Sequence, residues 1–336
     1  MKILILSHVF YPSLGGIESV SSILAHEFVN QGHEVKLITQ TLATDTKSFP
    51  FEVIRQPKRH QLFKLVNWCD VCFHNNISIK TIWPLFLLHK PWVIAHHTWI
   101  TRTNGSLGWQ DYLKRLLTRF ATSISISQTV ADHLSTPSVV IGNPYVDDLF
   151  HEMPEISRDQ ELVFLGRLVS DKGVDLLITA LGQLKTQGFT PHLTIIGSGP
   201  EENILRNLAK DVGVSTQVNF VGIKTEIELV QLLNTHQIMV VPSRWLEPFG
   251  IVALEGIACG CVVVGSEGGG LKDAIGPCGV TFPNGDVQAL GQSLFELLKN
   301  PCKLSTYRAR ANAHLSRHKR SEVAKAYLKV FEHAVK

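Results

Sequence analysis

Two glutamates, Glu247 and Glu255, stand seven residues apart within the passage PSRWLEPFGIVALEGIACG, residues 242–260, of a chain that is only 18% charged. The run 237–241 reads as a strand and the residues after Gly250 as a helix, with a Pro-Phe-Gly turn between them. Glu247 then lies in the loop and Glu255 about one and a half turns into the helix, on one side of it. The N–H groups of Phe249, Gly250 and Ile251 at the helix start have no intrahelical acceptors and can bind oxygens. Ionised carboxylates accept two or more hydroxyl hydrogen bonds each, so the pair suits a polyhydroxylated ligand. The helix dipole favours an acid near a helix start by about 0.3–1 kcal/mol, which is reason enough for Glu247 taken singly. It does not account for Glu255, set among Ile251, Val252, Leu254 and Ile257, where an unpartnered buried charge is costly.

Three further stretches follow strand-like runs. In GRLVSDKGVDLLITAL, Arg167 and Lys172 lie on one loop that leads into a helix, with Gly173 allowing tight geometry. Two cations beside a helix start form an anion site able to neutralise a diphosphate without a metal; the plainer reading is a solvated surface pair. In IIGSGPEEN, Gly197 and Gly199 permit a backbone turn around a flat or anionic group, although Gly-x-Gly alone is weak and Pro200-Glu201-Glu202 is an ordinary helix start. In SHVFYPSLGGIESV, Gly15 and Gly16 let the backbone approach a ligand ahead of another helix. The absence of a Gly-x-Gly-x-x-Gly pattern there argues against a dinucleotide cofactor and a nicotinamide dehydrogenase. His96-His97-Thr98 end a strand, where a histidine can orient a hydroxyl or carry a proton near neutral pH. His8 and His33 read as cleft-edge and turn residues.

These residues need rigid strands to hold them. Apolar runs at 2–7, 34–39, 69–74, 92–96, 122–126 and 138–141 alternate with helical patterns, which predicts a doubly wound parallel unit. The stretch 142–160 breaks the rhythm and reads as a linker. Strand patterns resume at 161–166, 192–197, 217–221, 237–241, 261–265 and 279–282, and polar-faced helices near 286–298 and 319–334 close the chain. The expected fold class is α/β, with two doubly wound Rossmann-like domains facing across a cleft. The expected divisions are 1–150, 151–318 and a final helix, 319–336, packing back on the first domain. Open α/β sheets bind ligands at the carboxyl ends of their strands, where every candidate above falls.

Composition bounds the rest. A net charge of +3 over 336 residues is too small to imply nucleic acid as a partner, and its distribution is uneven: residues 1–150 carry 13 basic and 10 acidic side chains against 19 of each in 151–336. Six cysteines form no disulfide framework; Cys69-Asp-Val-Cys72 lacks a second pair and reads as buried thiols in a reducing compartment. No long uncharged apolar run predicts a membrane span, and the expected location is the cytoplasm, with attachment to the inner membrane surface as the variant. That variant comes from GWQDYLKRLLTRFATS. Trp109, Tyr112, Leu113, Leu116, Leu117 and Phe120 form a stripe beside Lys114, Arg115 and Arg119, which fits a helix resting on an anionic membrane or equally a core-facing helix with a solvated outer face.

YPSLGGIES, GHEVKLIT, VIGNPYVDDLF, FLGRLVSDKGVDLLITAL, IIGSGPEE, PSRWLEPFGIVALEGIACG and GGGLKDAI occur in an order that resembles the retaining GT-B glycosyltransferases with a Glu-x7-Glu motif, often called group 1. The resemblance implies a nucleotide-diphosphate sugar donor held by the second domain and a saccharide or lipid-linked acceptor entering through the first, with UDP or GDP as the carrier. It implies that Arg167 and Lys172 hold the diphosphate, Glu255 the ribose, and Glu247 the donor sugar. It also places Phe249, Gly250 and Ile251 backbone against sugar and phosphates, Gly16 near the diphosphate, and His97 on the transferring sugar. No metal or other cofactor is implied, and surface polysaccharide or glycolipid synthesis is the expected setting. The chain departs from the family pattern in NPYVDD, in Gly256 where alanine is usual, and in GCVVVG, which lacks the usual proline. A nucleotide-sugar epimerase of the same architecture and a non-catalytic sugar-nucleotide binding protein are the alternatives.

Overall fold

The computed structural model describes residues 1–13, 15–42, 47–101 and 105–336; Leu14, inside one of the quoted motifs, lies outside them. The chain divides into two compact units, Met1–Pro144 with Arg320–Lys336, and Tyr145–Lys319. The division therefore falls after Pro144 rather than at 150, and the last helix, Arg320–Val335, is part of the first unit.

In the first unit β1 (Lys2–Ser7), β2 (Glu34–Thr39), β3 (Glu52–Arg55), β4 (Val71–Asn75), β5 (Trp92–His96), β6 (Thr122–Ser125) and β7 (Ser138–Val140) form one parallel sheet in the order β3-β2-β1-β4-β5-β6-β7. Strand β3 is missing from the sequence reading because it is a four-residue edge strand with no fully buried position, too short for a periodic signal. Cys69 is not in a strand either. It caps the helix Arg59–Trp68, and the next residue, Asp70, exchanges hydrogen bonds with Lys2, its N–H on Lys2 O at 2.9 Å and its Oδ2 under Lys2 N–H at 2.7 Å. The terminal helix lies on the helix Gly16–Asn30 and under β4 and β5. It buries Tyr327 and Phe331 against Phe73 (5.6 and 5.2 Å between centroids) and Phe331 against Phe28 (5.4 Å). Full burial of one such side chain is worth about 1.5–3 kcal/mol, which is what fastens the end of the chain to this unit.

The apolar stripe of 109–120 divides between the helix Trp109–Leu117 and the turn Thr118–Phe120. Of the expected stripe only Leu117 is buried, while Trp109, Tyr112, Leu116 and Phe120 are 69%, 61%, 50% and 68% exposed. Leu117 is part of the core and Leu113 packs against it, so the helix faces the core along one side; the rest of the stripe stays outside because Asp111 and Thr118 also turn inward: Asp111 accepts the Gly108 N–H at 2.9 Å and Thr118 donates to Arg115 O at 2.8 Å.

In the second unit β8 (Gln160–Leu165), β9 (Leu193–Ile196), β10 (Val218–Gly222), β11 (His236–Val241), β12 (Val262–Ser266) and β13 (Gly279–Phe282) form a parallel sheet in the order β10-β9-β8-β11-β12-β13. Helix Val174–Thr186 covers it with Leu177, Ile178, Leu181 and Leu184, all buried in one core with β8, β9, β11 and β12. Residues 145–159 are no loose linker. Met153 N–H donates to Asn234 Oδ1 at 2.8 Å, Asn234 Nδ2 to His151 O at 3.0 Å, and Arg158 to His236 O and Cys259 O, both at 2.7 Å. Side chains from distant segments tie the stretch down, so its aperiodic sequence hid its order.

Each sheet reverses its strand order once, at β1/β4 and at β8/β11. The loops diverge at such a point and leave a crevice beyond the carboxyl ends. Gly15 and Gly16 follow β1; Arg167 and Lys172 follow β8; Glu247 and Glu255 follow β11.

Candidate active site

In the second unit the loop after β8 and the loop after β9 run against one another as bare backbone. Gly166 N–H donates to Ile196 O at 3.0 Å and Leu168 N–H to Ser198 O at 2.9 Å. A Cβ on Gly197 would collide with Gly166 O, and one on Gly199 with Leu168 O. The space a side chain would take at either glycine is filled by the Gly166–Leu168 backbone, and the effect is to fix where Arg167 leaves the chain. Arg167 is exposed at that point.

The next turn brings the loop after β11 into place. Gly173 has φ 68° and a Cβ there would strike Pro242 O. Arg244 and Trp245 donate their N–H groups to Asp171 O at 2.9 and 3.2 Å, and the Arg244 guanidinium holds Asp175 with two bonds of 2.5 and 2.6 Å. With the two loops strapped together, Lys172 Nζ meets Glu247 Oε1 at 2.5 Å, and Ser243 Oγ donates to the same oxygen at 2.8 Å. Behind Glu247, its carbonyl accepts the Gly270 N–H at 2.7 Å. Asn284 bridges Gly268 N–H (2.7 Å) and Ser243 O (3.0 Å). The Glu247 Oε2 atom accepts no hydrogen bond among the described residues. One carboxylate oxygen is anchored and the other keeps its lone pairs free of protein donors among the described residues, as a group that grips a hydroxyl requires.

Ser243, Asn284 and the run Gly268–Gly270 are site residues the sequence reading left without a role. The triple glycine was the available signal; Ser243 and Asn284 carried none, since their partners lie 4 and 41 positions away along the chain.

Glu255 sits on the helix Ile251–Ala258. Phe249 is buried, its ring 5.6 Å from that of His318, so only its backbone can serve a ligand. Gly250 has φ 99°, and a Cβ would meet Leu271. Ala253 N–H is used by Gly250 O at 3.0 Å, while no acceptor from a loop or turn among the described residues takes the N–H of Ile251. Gly256, unusual for the resembling family, has a local cause: a Cβ would run into the Met239 side chain. Glu255 keeps a path to solvent, yet burial alone pushes its carboxyl up to about 7. A carboxyl that ionises near 4.5 in the unfolded chain and about 7 when folded binds more protons folded than unfolded between those values. Stability is therefore present below that window and is lost as pH rises through it. Glu255→Gln removes the loss, so at about pH 8 the variant unfolds a few degrees above the parent and the gap closes towards about pH 5. Calorimetric scans at both pH values check this; an equal gap at each would refute it.

In the first unit His97 follows β5 and is buried, its backbone N–H on Asn76 Oδ1 at 2.8 Å. Burial, and secondarily the neighbouring His96, push its pKa down to about 3, against a hydrogen bond with Asn143. The imidazole is neutral at physiological pH. The expectation that it could carry a proton there is corrected; it remains a hydrogen-bonding group with a buried Nε2 that has no partner among the described residues. Gly15 precedes and Gly16 opens the helix Gly16–Asn30. The Glu18 carboxylate curls back over Gly15, held by Ser13 Oγ at 3.0 Å. An acid thus stands where an anionic ligand was expected and has to move before one can take that place. Below it, Asn75 Nδ2 reaches Ser21 Oγ at 2.5 Å and Ser7 Oγ lies 2.8 Å from the same atom. This buried polar knot pins the helix start to β1 and β4.

Among the described residues no group of three or more His, Cys, Asp or Glu could hold a metal ion, and no helix is long and apolar enough to cross a membrane. All six cysteines are free.

Two Rossmann-like units with cations and carboxylates at the carboxyl edge of the second define a GT-B protein. Residues 147–314 match the family model described as glycosyl transferases group 1, and the chain belongs to that family. It is 35% identical over 156 residues to the GDP-mannose-dependent monoacylated alpha-(1-6)-phosphatidylinositol monomannoside mannosyltransferase of Corynebacterium glutamicum, covering 44% of this chain and 40% of that protein. It is 27% identical over 268 residues to the phosphatidyl-myo-inositol mannosyltransferase of Mycobacterium leprae, covering 76% and 71%. The chain thus spans less than half the length of the first of these relatives. Among solved structures, Anabaena Alr3699/HepE in complex with UDP and glucose superposes with a TM-score of 0.80 at 21% identity, over 99% of this chain and 100% of that one. Sucrose-phosphate synthase from Thermosynechococcus elongatus does so at 0.79 and 18%, over 99% and 98%. At such identities the likeness shows the fold.

Proposed function

We propose that the protein moves a sugar from a nucleotide-diphosphate donor, UDP- or GDP-linked, to a saccharide or lipid-linked acceptor with retention at the anomeric carbon and without a metal. The observation that carries this is the Lys172–Glu247 pair, which sets a cation and a hydroxyl-gripping carboxylate side by side at the switch point of the second unit, with Arg167 in the loop of Lys172 and Glu255 on the helix that follows the loop of Glu247. The hard step is departure of the diphosphate. Arg167, Lys172 and the peptide N–H groups around Ile251 supply positive potential where negative charge grows, the kind of preorganised stabilisation that dominates many enzymes' rates. Glu255 takes the ribose hydroxyls and Glu247 Oε2 those of the transferring sugar, with the neutral His97 ring donating or accepting one further bond. A histidine with a pKa of about 3 is a poor base, which fits a path in which the leaving phosphate itself accepts the acceptor's proton.

Work at the inner membrane surface, in surface polysaccharide or glycolipid assembly, is supported by two things. The relatives' names describe transfer onto phosphatidylinositol derivatives. The exposed Trp109, Tyr112, Leu116 and Phe120 lie beside exposed Arg119, an apolar and basic face suited to anionic lipid.

Incubation with UDP-, GDP- and ADP-sugars in the presence of EDTA, followed by proton NMR of the glycoside, tests the reaction. The product is expected to keep the donor's anomeric configuration; an inverted product, or strict dependence on a divalent ion, overturns the corresponding part. Sedimentation of the same preparation with anionic vesicles is expected, and its abolition by Trp109→Ser with Phe120→Ser; sedimentation unchanged in that variant would remove the membrane contact.

A further inference from the structure

The first unit has a concavity that the donor chemistry does not use. It measures about 650 Å³, within the range of small-molecule sites, roughly 300–1,000 Å³. Gln40 follows β2, Pro57 and Arg59 follow β3, and Lys80, Thr81 and Trp83 follow β4, with buried Leu62 as its floor. All the wall segments leave carboxyl ends of parallel strands, the ligand-binding edge of an open sheet and the edge that also carries Gly15 and His97.

Its chemistry is one-sided. Arg59 and Lys80 are exposed, no acid lines the wall, and neither cation makes a salt bridge among the described residues. The Trp83 indole also lines the wall and stacks on Phe63 at 6.1 Å and 21°. Two unengaged cations attract a phosphate, and Arg can grip one with two parallel bonds. An aromatic face suits the apolar side of a sugar or polyol ring. A bare phosphate ion would leave most of this volume empty, whereas a phosphorylated monosaccharide or cyclitol fills it.

We propose that this pocket binds the acceptor by a phosphate group attached to a sugar or polyol ring, with Arg59 and Lys80 on the phosphate and Trp83 under the ring. The assignment rests on the glycosyltransferase reading only in calling the occupant an acceptor. The phosphate can be that of a free sugar phosphate or of a lipid headgroup, and the two are separated by experiment.

The test is titration of the full chain, saturated with the nucleoside diphosphate that binds it, with glucose 1-phosphate and with glucose. The wild type is expected to bind the phosphate ester and not the free sugar. Arg59→Ala with Lys80→Ala is expected to weaken the ester at least tenfold while nucleoside diphosphate affinity stays unchanged, which also shows that the variant is folded. Trp83→Ala is expected to weaken the ester and leave inorganic phosphate unaffected. In parallel, vesicles of phosphatidylcholine with and without phosphatidylinositol report the lipid source. Binding that needs both phosphatidylinositol and the two cations assigns the pocket to a lipid headgroup, and ester binding alone assigns it to a soluble acceptor. Equal affinity of wild type and double variant, or no binding of either phosphate probe, overturns the proposal. Absence of any nucleoside diphosphate binding would instead count against the donor reading and leave the phosphate result standing.

Discussion

Arg167→Ala lowers sugar transfer at saturating donor by about 10²–10³-fold, the usual cost of removing one preorganised charge-stabilising group, and leaves the unfolding midpoint where it was. The split follows from the position of the side chain. Arg167 is exposed, and its one hydrogen bond among the described residues is made by its backbone carbonyl, which accepts the Val169 N–H at 3.1 Å. Removing the guanidinium breaks nothing within the protein; in the proposed reaction it removes positive potential from the departing diphosphate. Lys172→Ala gives a contrasting case. Its ammonium also neutralises Glu247, so its loss leaves that carboxylate with Ser243 as its remaining side-chain donor. A partly exposed pair contributes about 0–1 kcal/mol to stability, so a small fall in midpoint is expected together with a comparable loss of rate. Steady-state kinetics at saturating donor, run beside thermal denaturation, separate the two variants. Wild-type turnover in Arg167→Ala would remove the electrostatic account of the site.

Gly197→Ala destabilises the second unit by about 2–5 kcal/mol, combining backbone strain with overpacking. Gly197 has φ 134°, and the added methyl would fall on Gly166 O. Neither strand end can give way cheaply: Gly166 N–H is on Ile196 O at 3.0 Å and Gly197 N–H on Gly222 O at 2.8 Å. Gly188→Ala is the control, with φ 81° and no atom within 4 Å of the methyl that alanine would add; only the strain should remain, about 1 kcal/mol. At about 2–4 °C per kcal/mol for a unit of this size, the two midpoints should differ by several degrees. Equal losses would mean that the loop contact contributes nothing. The Gly197 variant should also lose transfer rate, because the displaced Gly166 carries Arg167 with it.

The order of strands and helices was legible because parallel strands covered on both faces are short unbroken apolar runs, and those runs recur between helical patterns in both halves. Strand β3 escaped because an edge strand of one exposed and three half-buried residues has neither run nor alternation. The exposed face of 109–120 escaped for a different reason: an apolar stripe beside cations does not tell which of its members turn inward, and the packing that buries Leu117 together with Asp111 and Thr118 sets the rest outside. For the site, residue type and place after a strand were enough to select Arg167, Lys172, Glu247 and Glu255. They were not enough to tell what each touches.

The amino-acid order by itself determined which side chains can bind anions and hydroxyls and that they follow strands, since both depend on local chemistry and local periodicity. Tertiary structure alone decided that Lys172 and Ser243 close on one oxygen of Glu247, that His97 is neutral, and that Glu255 titrates near neutrality. It also decided that Gly197 and Gly199 make room for a neighbouring loop and that 145–159 is fastened to the second unit. Each of those outcomes is set by burial and by partners tens of residues away, and distance along the chain carries no record of either.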